Sequence, residues 1–476
     1  MEKLKNNCNL LFCYTPHYYY VGAIIDFANA FARHSRSNVS YLHDFSGEFD
    51  LTGFDAVIFN YCFWSSYNQI SEVFLQKVKK FKGTKIAILQ DEYDTSVWYR
   101  DALIDMKIDC IVTNIRNQDD WFKVYHSPEL AHLEFITALT GYVPDSMLNM
   151  PSPKPFDERK WEIGYRGRTL HFKYGRLGWE KYYIGKRMKE ICEQRNICAN
   201  IAVDEDSRIY GDAWPEFIRD CRVTLGSESG SNVFDMDGTL IPAINQYLDE
   251  NPNAEFETVY ELFLKDIDGK IKMNMVSPRV FESIALGTVL VLFEGEYWDI
   301  IQPWIHYIPL KKDFSNIDEV LDAVSDTMML EKISKQAYQD VILSQKYSYA
   351  NLVNRVDDYI EKKTSAVQSL KPIYMQIGWR DNYGNSKFLS DIPLGMPTPE
   401  LFLSKDQVVR PVRYNPFFKC ALVVDKKVSC AIYNIRKIRC RCRQKAIDIL
   451  QFNDSLYRLI RWIYRKTKSL FCVSMF

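Results

Sequence analysis

The chain has 476 residues, of which 47% are hydrophobic and 25% are charged, and its formal net charge is −1. These values exclude a wholly disordered or fibrous chain, and the length favours two to four globular domains. No apolar run approaches the roughly 18 residues that a membrane-spanning helix needs. Because the apolar run at residues 10–13 is also too short for a signal-peptide core, we expect a cytoplasmic protein.

The 12 cysteines and 7 histidines are scattered along the chain. They form no CxxC pair, no HExxH motif and no other spacing typical of a zinc site. Reduced and mostly buried cysteines are therefore favoured over a disulfide framework, and we expect neither a resident metal nor another cofactor.

The first third of the chain alternates short apolar segments with helical patterns. Helices are predicted from the turn at residues 17–22 to about residue 33 and over residues 70–81. Strands are predicted at residues 9–14, 38–43, 55–60, 85–90, 109–113 and 133–137. Strands of about five residues separated by helices indicate βαβ units and a parallel sheet. The carboxyl ends of such strands are where active groups belong.

A short linker, PSPKP at residues 151–155, precedes a second alternation of the same kind. Its predicted strands are residues 161–166, 200–203, 222–226, 288–293 and 306–310. Its predicted helices are residues 179–194, 214–219, 278–286, 317–326, 330–343 and 349–362. Residues 231–270 are acidic and break the alternation, so they are interpreted as an insertion.

The sequence therefore predicts an α/β protein with two Rossmann-like domains, residues 1–155 and 156–345, the second carrying an insertion near 231–276. A helix at 346–363 crosses back to the first domain, and 364–476 form a Pro-interrupted linker and a basic, amphipathic helical tail. Two such domains enclose a cleft that suits a ligand with two ends.

The strongest local signal is SPRVFESIALGTVLV at residues 277–291. Ser277 is a good N-cap and Pro278 suits the first helical position, so a helix starts here. The free N–H groups of its first turn favour a phosphate, and Arg279 could clamp phosphate oxygens. Glu282 lies one turn in, where a carboxylate could accept from two ribose hydroxyls. The alternative is that Glu282 only complements the helix dipole.

A basic, glycine-bearing loop at residues 164–181 joins a predicted strand to a predicted helix. Gly167 allows the backbone to approach a ligand closely. Arg168, Arg176 and Lys181 supply positive charge that suits a diphosphate. The alternative is a solvated basic loop.

Acidic residues supply the remaining candidates in the second half. Glu228 follows a predicted strand directly, on the functional edge of the sheet. Asp235 and Asp237 form a DxD pair that could hold a divalent metal through oxygens. A polar turn is the favoured interpretation of this short pattern.

In the first half, the segment QDEYD at residues 90–94 follows the fourth predicted strand. Asp91 and Glu92 are candidates for a general base or for contacts to sugar hydroxyls. The alternative is a helix start with acidic residues in its first turn. His17, in the loop after the first strand, is a candidate for the acceptor side.

These segments resemble the GT-B glycosyltransferases. SPRVFESIALGTVLVLF is similar to the "Glu-Ala-Met-Ala-x-Gly-x-Pro-Val" helix and strand of the glycosyltransferase group 1 superfamily. The runs LQDEY, YRGR, GRLG, SRIYG and LGSESG resemble bacterial glycosyltransferases of cell-surface polysaccharide synthesis. The likeness covers roughly residues 8–363, and it places Glu282 at the ribose-binding position.

Two positions depart from the superfamily pattern. Retaining members often have a glutamate eight positions before the ribose-binding one, where this chain has Asn274, and Glu228 is a candidate for the displaced residue. A histidine often found after the fourth strand is replaced by Gln90. Retention or inversion at the anomeric carbon is therefore left open.

The resemblance implies a transferase that moves a sugar from a nucleotide diphosphate sugar to a glycan or lipid-linked acceptor in polysaccharide biosynthesis. The second half would bind the donor and the first half the acceptor, with positive side chains instead of a metal stabilising the leaving diphosphate. The alternatives are a nucleotide-sugar epimerase and a non-catalytic glycan-binding or assembly protein on the same scaffold.

The tail at residues 404–476 carries 17 lysines and arginines against 4 acidic residues. Its basic residues are interleaved with apolar ones, including Trp462 and Tyr464, which suits an interfacial helix on an anionic membrane. We therefore expect peripheral attachment to the inner face of the membrane. Nucleic-acid binding and a plain solvated helix are the less favoured interpretations.

Overall fold

The computed structural model describes residues 8–14, 22–42, 45, 49–64, 70–209, 211 and 213–364, together with the backbone of four strands between residues 375 and 410. His17 and nearly all of the basic tail lie outside the described residues.

The first half is built on a six-stranded parallel sheet with the order β2-β1-β3-β4-β5-β6. Each strand falls where the sequence predicts one. Strands β1 and β3 are buried along their whole length and are almost entirely apolar, as expected for strands covered on both faces. Their bounds are β1 Asn9–Cys13, β2 Asn38–Leu42, β3 Ala56–Phe59, β4 Thr84–Ile88, β5 Cys110–Thr113 and β6 Glu134–Thr137.

Helices connect these strands and cover both faces of the sheet. They are α1 Gly22–His34, α2 Tyr61–Trp64, α3 Glu72–Lys80, α4 Ser96–Met106 and α5 Gln118–Tyr125. Helix α3 starts at a regular cap, where the Ser71 hydroxyl accepts from the Phe74 amide at 3.2 Å. Helices α4 and α5 were not predicted.

The second half contains a five-stranded parallel sheet with the order β13-β12-β9-β7-β8. Its strands are β7 Trp161–Arg166, β8 Ala199–Ala202, β9 Cys221–Gly226, β12 Val289–Phe293 and β13 Ile308–Leu310. Its helices are α6 Gly175–Arg195, α7 Ala213–Arg219, α10 Pro278–Ala285, α11 Ile317–Ser325 and α12 Thr327–Ala337, followed by a π-helical segment Tyr338–Leu343. The predicted class, α/β with two Rossmann-like sheets, is confirmed.

The order in which strands are added to this second sheet reverses at β7: β8 lies on one side of β7, and β9 lies on the other. In open parallel sheets, ligands bind beyond the carboxyl ends of the strands at such a switch point. Gly167 and Ser227, which follow β7 and β9, therefore lie where a ligand is expected to bind.

The predicted insertion forms its own small structure and also completes the first half. It contains an antiparallel strand pair, β10 Ser229–Gly230 with β11 Asn274–Met275, and helices α8 Leu240–Glu250 and α9 Phe256–Val259. Phe234, Ile271 and Met273 belong to a buried apolar cluster of the first half. The amide of Val97 donates to the carbonyl of Met236 at 2.9 Å. The insertion therefore ties the second half to the first.

Helix α13, Tyr349–Thr364, runs over the residues predicted to cross back to the first half. Its Asp357 is fully buried and accepts from the Ser35 hydroxyl at 2.8 Å and from the Arg36 amide at 2.7 Å. Both partners directly follow α1, so α13 is anchored on the first sheet.

The region predicted as a linker from residue 364 to 416 contains strands. They are β14 Met375–Arg380, β15 Ser386–Phe388, β16 Leu401–Lys405 and β17 Val408–Arg410, paired antiparallel in the order β15-β14-β16-β17. The prolines that suggested a linker, at positions 393, 397 and 399, fall between β15 and β16. In the part of the chain that the structure describes, no helix is both long and apolar enough to span a membrane.

Candidate donor-binding site

A cavity of about 210 Å³ opens at the switch point of the second sheet. Four of its described lining residues are cationic, five are serine or threonine, and none is acidic. The polar members are Arg168, Lys181, Arg208, Arg279, Thr224, Ser227, Ser229, Ser277 and Ser283. The others are Tyr165, Gly167, Trp214, Ile218, Leu225, Gly226, Val280, Leu290 and Leu292. A carboxylate-free cavity of this kind suits a polyanion.

Gly167 lies in this wall because a larger residue does not fit. A Cβ at this position would stand 2.7 Å from a ring carbon of Tyr165 and 3.1 Å from the Lys181 carbonyl oxygen. The Tyr165 hydroxyl donates to that same carbonyl at 2.8 Å. The loop after β7 is thereby held close against α6.

Lys181 brings a desolvated positive charge to the cavity. Burial, together with the neighbouring charges of Arg168 and Arg279, lowers the pKa of its ammonium group to about 8. Among the described residues no carboxylate pairs with Lys181 within 4.0 Å. A bound anion would supply the missing counter-charge.

The amino end of α10 forms one side of the cavity, as the sequence predicts. Ser277 caps the helix, with its hydroxyl accepting from the Arg279 amide at 3.4 Å, and Pro278 occupies the first position. The Arg279 guanidinium donates to the carbonyl of Arg166 and lies 4.9 Å from the centre of the Trp214 ring. Helix and guanidinium both direct positive potential into the cavity.

Glu282 is close to the cavity but is not one of the described residues that line it. Its carboxylate accepts from the indole N–H of Trp214 at 2.8 Å, and burial raises its pKa. The direct ribose contact that the resemblance implies is therefore not prepared in this structure. In this structure the hydrogen bond of Glu282 goes to Trp214, which is itself a cavity residue.

Glu228 is also turned away from the cavity, although Ser227 and Ser229 on either side of it are part of the lining. The Glu228 side chain is buried and accepts from the Asn274 amide group at 2.7 Å and from the Tyr297 backbone amide at 3.0 Å. Asn274 is the residue that stands where retaining members have a glutamate. The fold thus places the Glu228 carboxylate in contact with Asn274, and its role as the displaced glutamate stays a prediction.

Arg176 is not one of the described residues that line the cavity, and its predicted donor contact stays a prediction. Its guanidinium forms a bidentate ion pair with Glu257, with one N–O distance of 2.6 Å, and lies 4.0 Å from the centre of the Tyr260 ring. The side chain therefore attaches α6 to the insertion.

The two acidic residues after β4 point in different directions. Asp91 is exposed, has a left-handed backbone with φ of 59°, and accepts from the Tyr93 hydroxyl at 2.5 Å. Its negative charge acts on Lys181 across the cleft and favours the protonated ammonium group. Asp91 is thus a described acid of the first half whose charge acts on a cavity residue.

Glu92 is fully buried inside the first half. It accepts from the Thr113 hydroxyl at 2.6 Å, from the Tyr125 hydroxyl and from the Asn114 amide. Burial raises the pKa of Glu92 to about 7 despite these bonds. These contacts enclose the carboxyl within the first half, which does not favour the predicted catalytic role of Glu92.

Asp235 and Asp237 shape a turn. Asp235 accepts from the Gly238 amide at 2.9 Å, and Asp237 accepts from the Thr239 hydroxyl at 2.7 Å, just before α8. Within the described ranges, no group of three or more His, Cys, Asp or Glu side chains could hold a metal ion. The absence of a metal requirement remains a prediction.

The sequence interpretation missed Arg208, Trp214 and Ser283 as cavity residues. Arg208 follows an acidic turn and Trp214 lies on a short helix, so neither carries a motif. Ser283 follows Glu282, and its buried hydroxyl has no hydrogen-bond partner in the described structure. Only the packing of α7 and α10 on the sheet brings these residues together.

No protein-family model matches the sequence, and no curated protein matches it either. Among solved structures, the chain is similar to sucrose-phosphate synthase from Thermosynechococcus elongatus, with 10% identity and a TM-score of 0.42 over 75% of this chain and 100% of the other. It is similar to T4 phage β-glucosyltransferase, with 12% identity and a TM-score of 0.44 over 75% of this chain and 99% of the other. It is also similar to Anabaena HepE in complex with UDP, with 9% identity and a TM-score of 0.43 over 75% and 100%.

Proposed function

We propose that this protein is a glycosyltransferase that moves a sugar from a nucleotide diphosphate sugar to an acceptor. The observation that carries the proposal is the cavity with four cationic and no acidic described residues at the switch point of the second sheet. A diphosphate is the ligand whose charge and size suit these groups and the amino end of α10.

Departure of the nucleoside diphosphate is the step that the cavity residues promote. Negative charge grows on the diphosphate as the bond to the sugar breaks, and Arg168, Lys181 and Arg279 line the space where it grows. Groups that are already oriented stabilise the transition state without reorganising, and they do so strongly in a site that excludes water. The reaction then proceeds without a metal ion.

Asp91 is the proposed general base. It belongs to the first half, after the carboxyl end of β4; the residue is exposed, and its charge acts on Lys181 of the cavity. An acceptor hydroxyl hydrogen-bonded to Asp91 would lose its proton to the carboxylate as the oxygen attacks the anomeric carbon. The other product is the nucleoside diphosphate, held by the second half.

The acceptor that we propose is a glycan or a lipid-linked glycan in polysaccharide biosynthesis. The support comes from the sequence, where 17 basic residues against 4 acidic ones in residues 404–476 suit an anionic membrane surface. A lipid-linked acceptor would make peripheral attachment to the inner face of a membrane useful.

The test is an incubation of the full chain with a panel of nucleotide diphosphate sugars, with and without a lipid-linked glycan fraction. Mass spectrometry follows the acceptor and the released nucleoside diphosphate. We expect the acceptor to gain one hexose in step with release, and Asp91→Asn to lower turnover while donor affinity stays unchanged. Donor interconversion without acceptor would show an epimerase instead, and binding without any turnover would show a non-catalytic protein.

A further inference from the structure

Trp214 on α7 is a cavity residue that contacts both Arg279 and Glu282. We propose that Trp214 is a positioning residue for the donor phosphates. It holds the Arg279 guanidinium at the cavity, and Glu282 fixes the orientation of the Trp214 ring. The inference rests on the proposed function, because it assigns Arg279 to the diphosphate.

The Arg279 side chain is held on two sides. Its guanidinium carbon lies 4.9 Å from the centre of the indole ring, within the range of a cation–π interaction, and one of its N–H groups donates to the carbonyl of Arg166. A free arginine side chain loses rotamer entropy when it binds an anion. Because Arg279 is already held, that cost is removed before the ligand arrives.

The Trp214 ring is also held in place. Its N–H donates to Glu282 at 2.8 Å, and its ring lies 5.9 Å from that of Phe217. Glu282 needs this bond because its carboxyl is withdrawn from water and the indole N–H is its hydrogen-bond donor here. Glu282 therefore contacts Trp214, and Trp214 in turn contacts Arg279.

This chain of contacts gives Glu282 a role different from a direct ribose contact. Glu282 lies on the same helix as Arg279, three residues further on. The two charges attract each other directly, and Glu282 also acts on Arg279 through an indole contributed by α7. Loss of the carboxylate would release the ring and, with it, the guanidinium. The effect would then appear in phosphate binding, even for a ligand that has no ribose.

Inorganic pyrophosphate is the probe that separates these roles, because it has the charge of the diphosphate and lacks both base and ribose. Its affinity is measured by calorimetry for the parent chain and for Trp214→Phe, Trp214→Ala, Glu282→Gln and Glu282→Ala. Trp179→Phe is the matched control, because Trp179 packs on Phe256 of the insertion, with ring centres 4.7 Å apart, and is not part of the described cavity wall. A melting curve for each variant shows that it is folded.

We expect Trp214→Ala to weaken pyrophosphate binding about tenfold, which is the loss of one pre-organised charged contact. Trp214→Phe keeps a ring face and should weaken binding about threefold. Glu282→Gln keeps an acceptor for the indole N–H and should bind like the parent, whereas Glu282→Ala should resemble Trp214→Phe. The control should be unchanged.

A double-mutant cycle with Arg279 decides whether the effect passes through that residue. In an Arg279→Ala background, Trp214→Ala should have no further effect on pyrophosphate affinity. A tenfold loss that persists in this background, or a folded Trp214→Ala variant that binds like the parent, would overturn the inference while leaving the proposed function intact. A parent chain that does not bind pyrophosphate at all would overturn both.

Discussion

Replacing Lys181 with methionine should raise the free energy of unfolding of the ligand-free protein. The same substitution should weaken its binding of a diphosphate. The pKa of Lys181 falls from its ordinary value of 10.5 to about 8 because the ammonium group is buried beside Arg168 and Arg279. Each pKa unit corresponds to 1.36 kcal/mol, so the charge at neutral pH destabilises the fold by about 3 kcal/mol. Methionine has a similar length and removes the charge.

The pH dependence identifies this penalty. Between pH 8 and 10.5 the unfolded chain holds a proton on Lys181 that the folded chain has lost, so the stability of the parent rises with pH across this window. Below pH 8 both states are protonated, and the penalty is present in full. Thermal and urea melts should therefore show Lys181→Met more stable than the parent at pH 7, with the difference fading toward pH 10.5.

Lys181→Met should weaken diphosphate binding although it stabilises the fold. A lost hydrogen bond to a charged group is worth about 1.5–3 kcal/mol, so nucleoside diphosphate affinity should fall roughly 10- to 150-fold at pH 7. Lys189→Met is the matched control, because Lys189 is exposed on the same helix and is not a described cavity residue. A Lys181→Met variant that is less stable than the parent at pH 7, or that binds diphosphate as tightly, would refute the reasoning.

Arg168→Ala should weaken binding of a nucleoside diphosphate more than binding of the nucleoside, since the lost contact is to charge; equal weakening in calorimetry would count against a phosphate contact. Glu92→Gln should leave donor affinity unchanged. Between pH 4.5 and 7 the folded parent holds a proton on Glu92 that the unfolded chain has lost, so the stability of the parent falls as the pH rises. Glu92→Gln should remove this decrease. Parallel pH profiles for the two proteins would contradict that assignment. Removal of residues 404–476 should abolish co-sedimentation with anionic vesicles, and equal pelleting of full and shortened chains would disprove a membrane role for the tail.

The strands could be predicted because a parallel strand covered on both faces needs apolar residues throughout, as in AVIF of β3 and VLVLF of β12. Helices α4 and α5 could not be predicted in the same way. Their starts, at Thr95 and Asn117, have no side-chain cap bond, and Thr95 has a left-handed backbone. These helices depend on packing against the sheet instead of a local start signal.

The candidate site could be predicted in part. Ser277 and Arg279 follow from local capping chemistry, and the loop after β7 brings Arg168 to the same cavity. The direction of Arg176 is decided by Glu257, 81 residues away in sequence, and no local pattern contains that partner. The orientation of Glu282 is decided in the same way by Trp214, 68 residues before it.

Asp91 and Glu92 show the same limit at adjacent positions. The left-handed backbone of Asp91 turns the chain, so that one carboxylate faces the cleft and the next enters the core toward Thr113. Both residues fit the pattern of an acid after a parallel strand. Their environments separate the exposed candidate base from the buried acid.

The central claim is that the cavity binds the diphosphate of a nucleotide sugar through cationic side chains without a metal. The most direct measurement is a calorimetric titration of the full chain with uridine, guanosine and adenosine diphosphates and their nucleosides, in a chelating buffer and again with magnesium. We expect at least one diphosphate to bind in the chelating buffer, at least tenfold more tightly than its nucleoside. Magnesium should not increase its affinity. Binding that appears only with magnesium, or a nucleoside that binds as well as its diphosphate, would contradict the account.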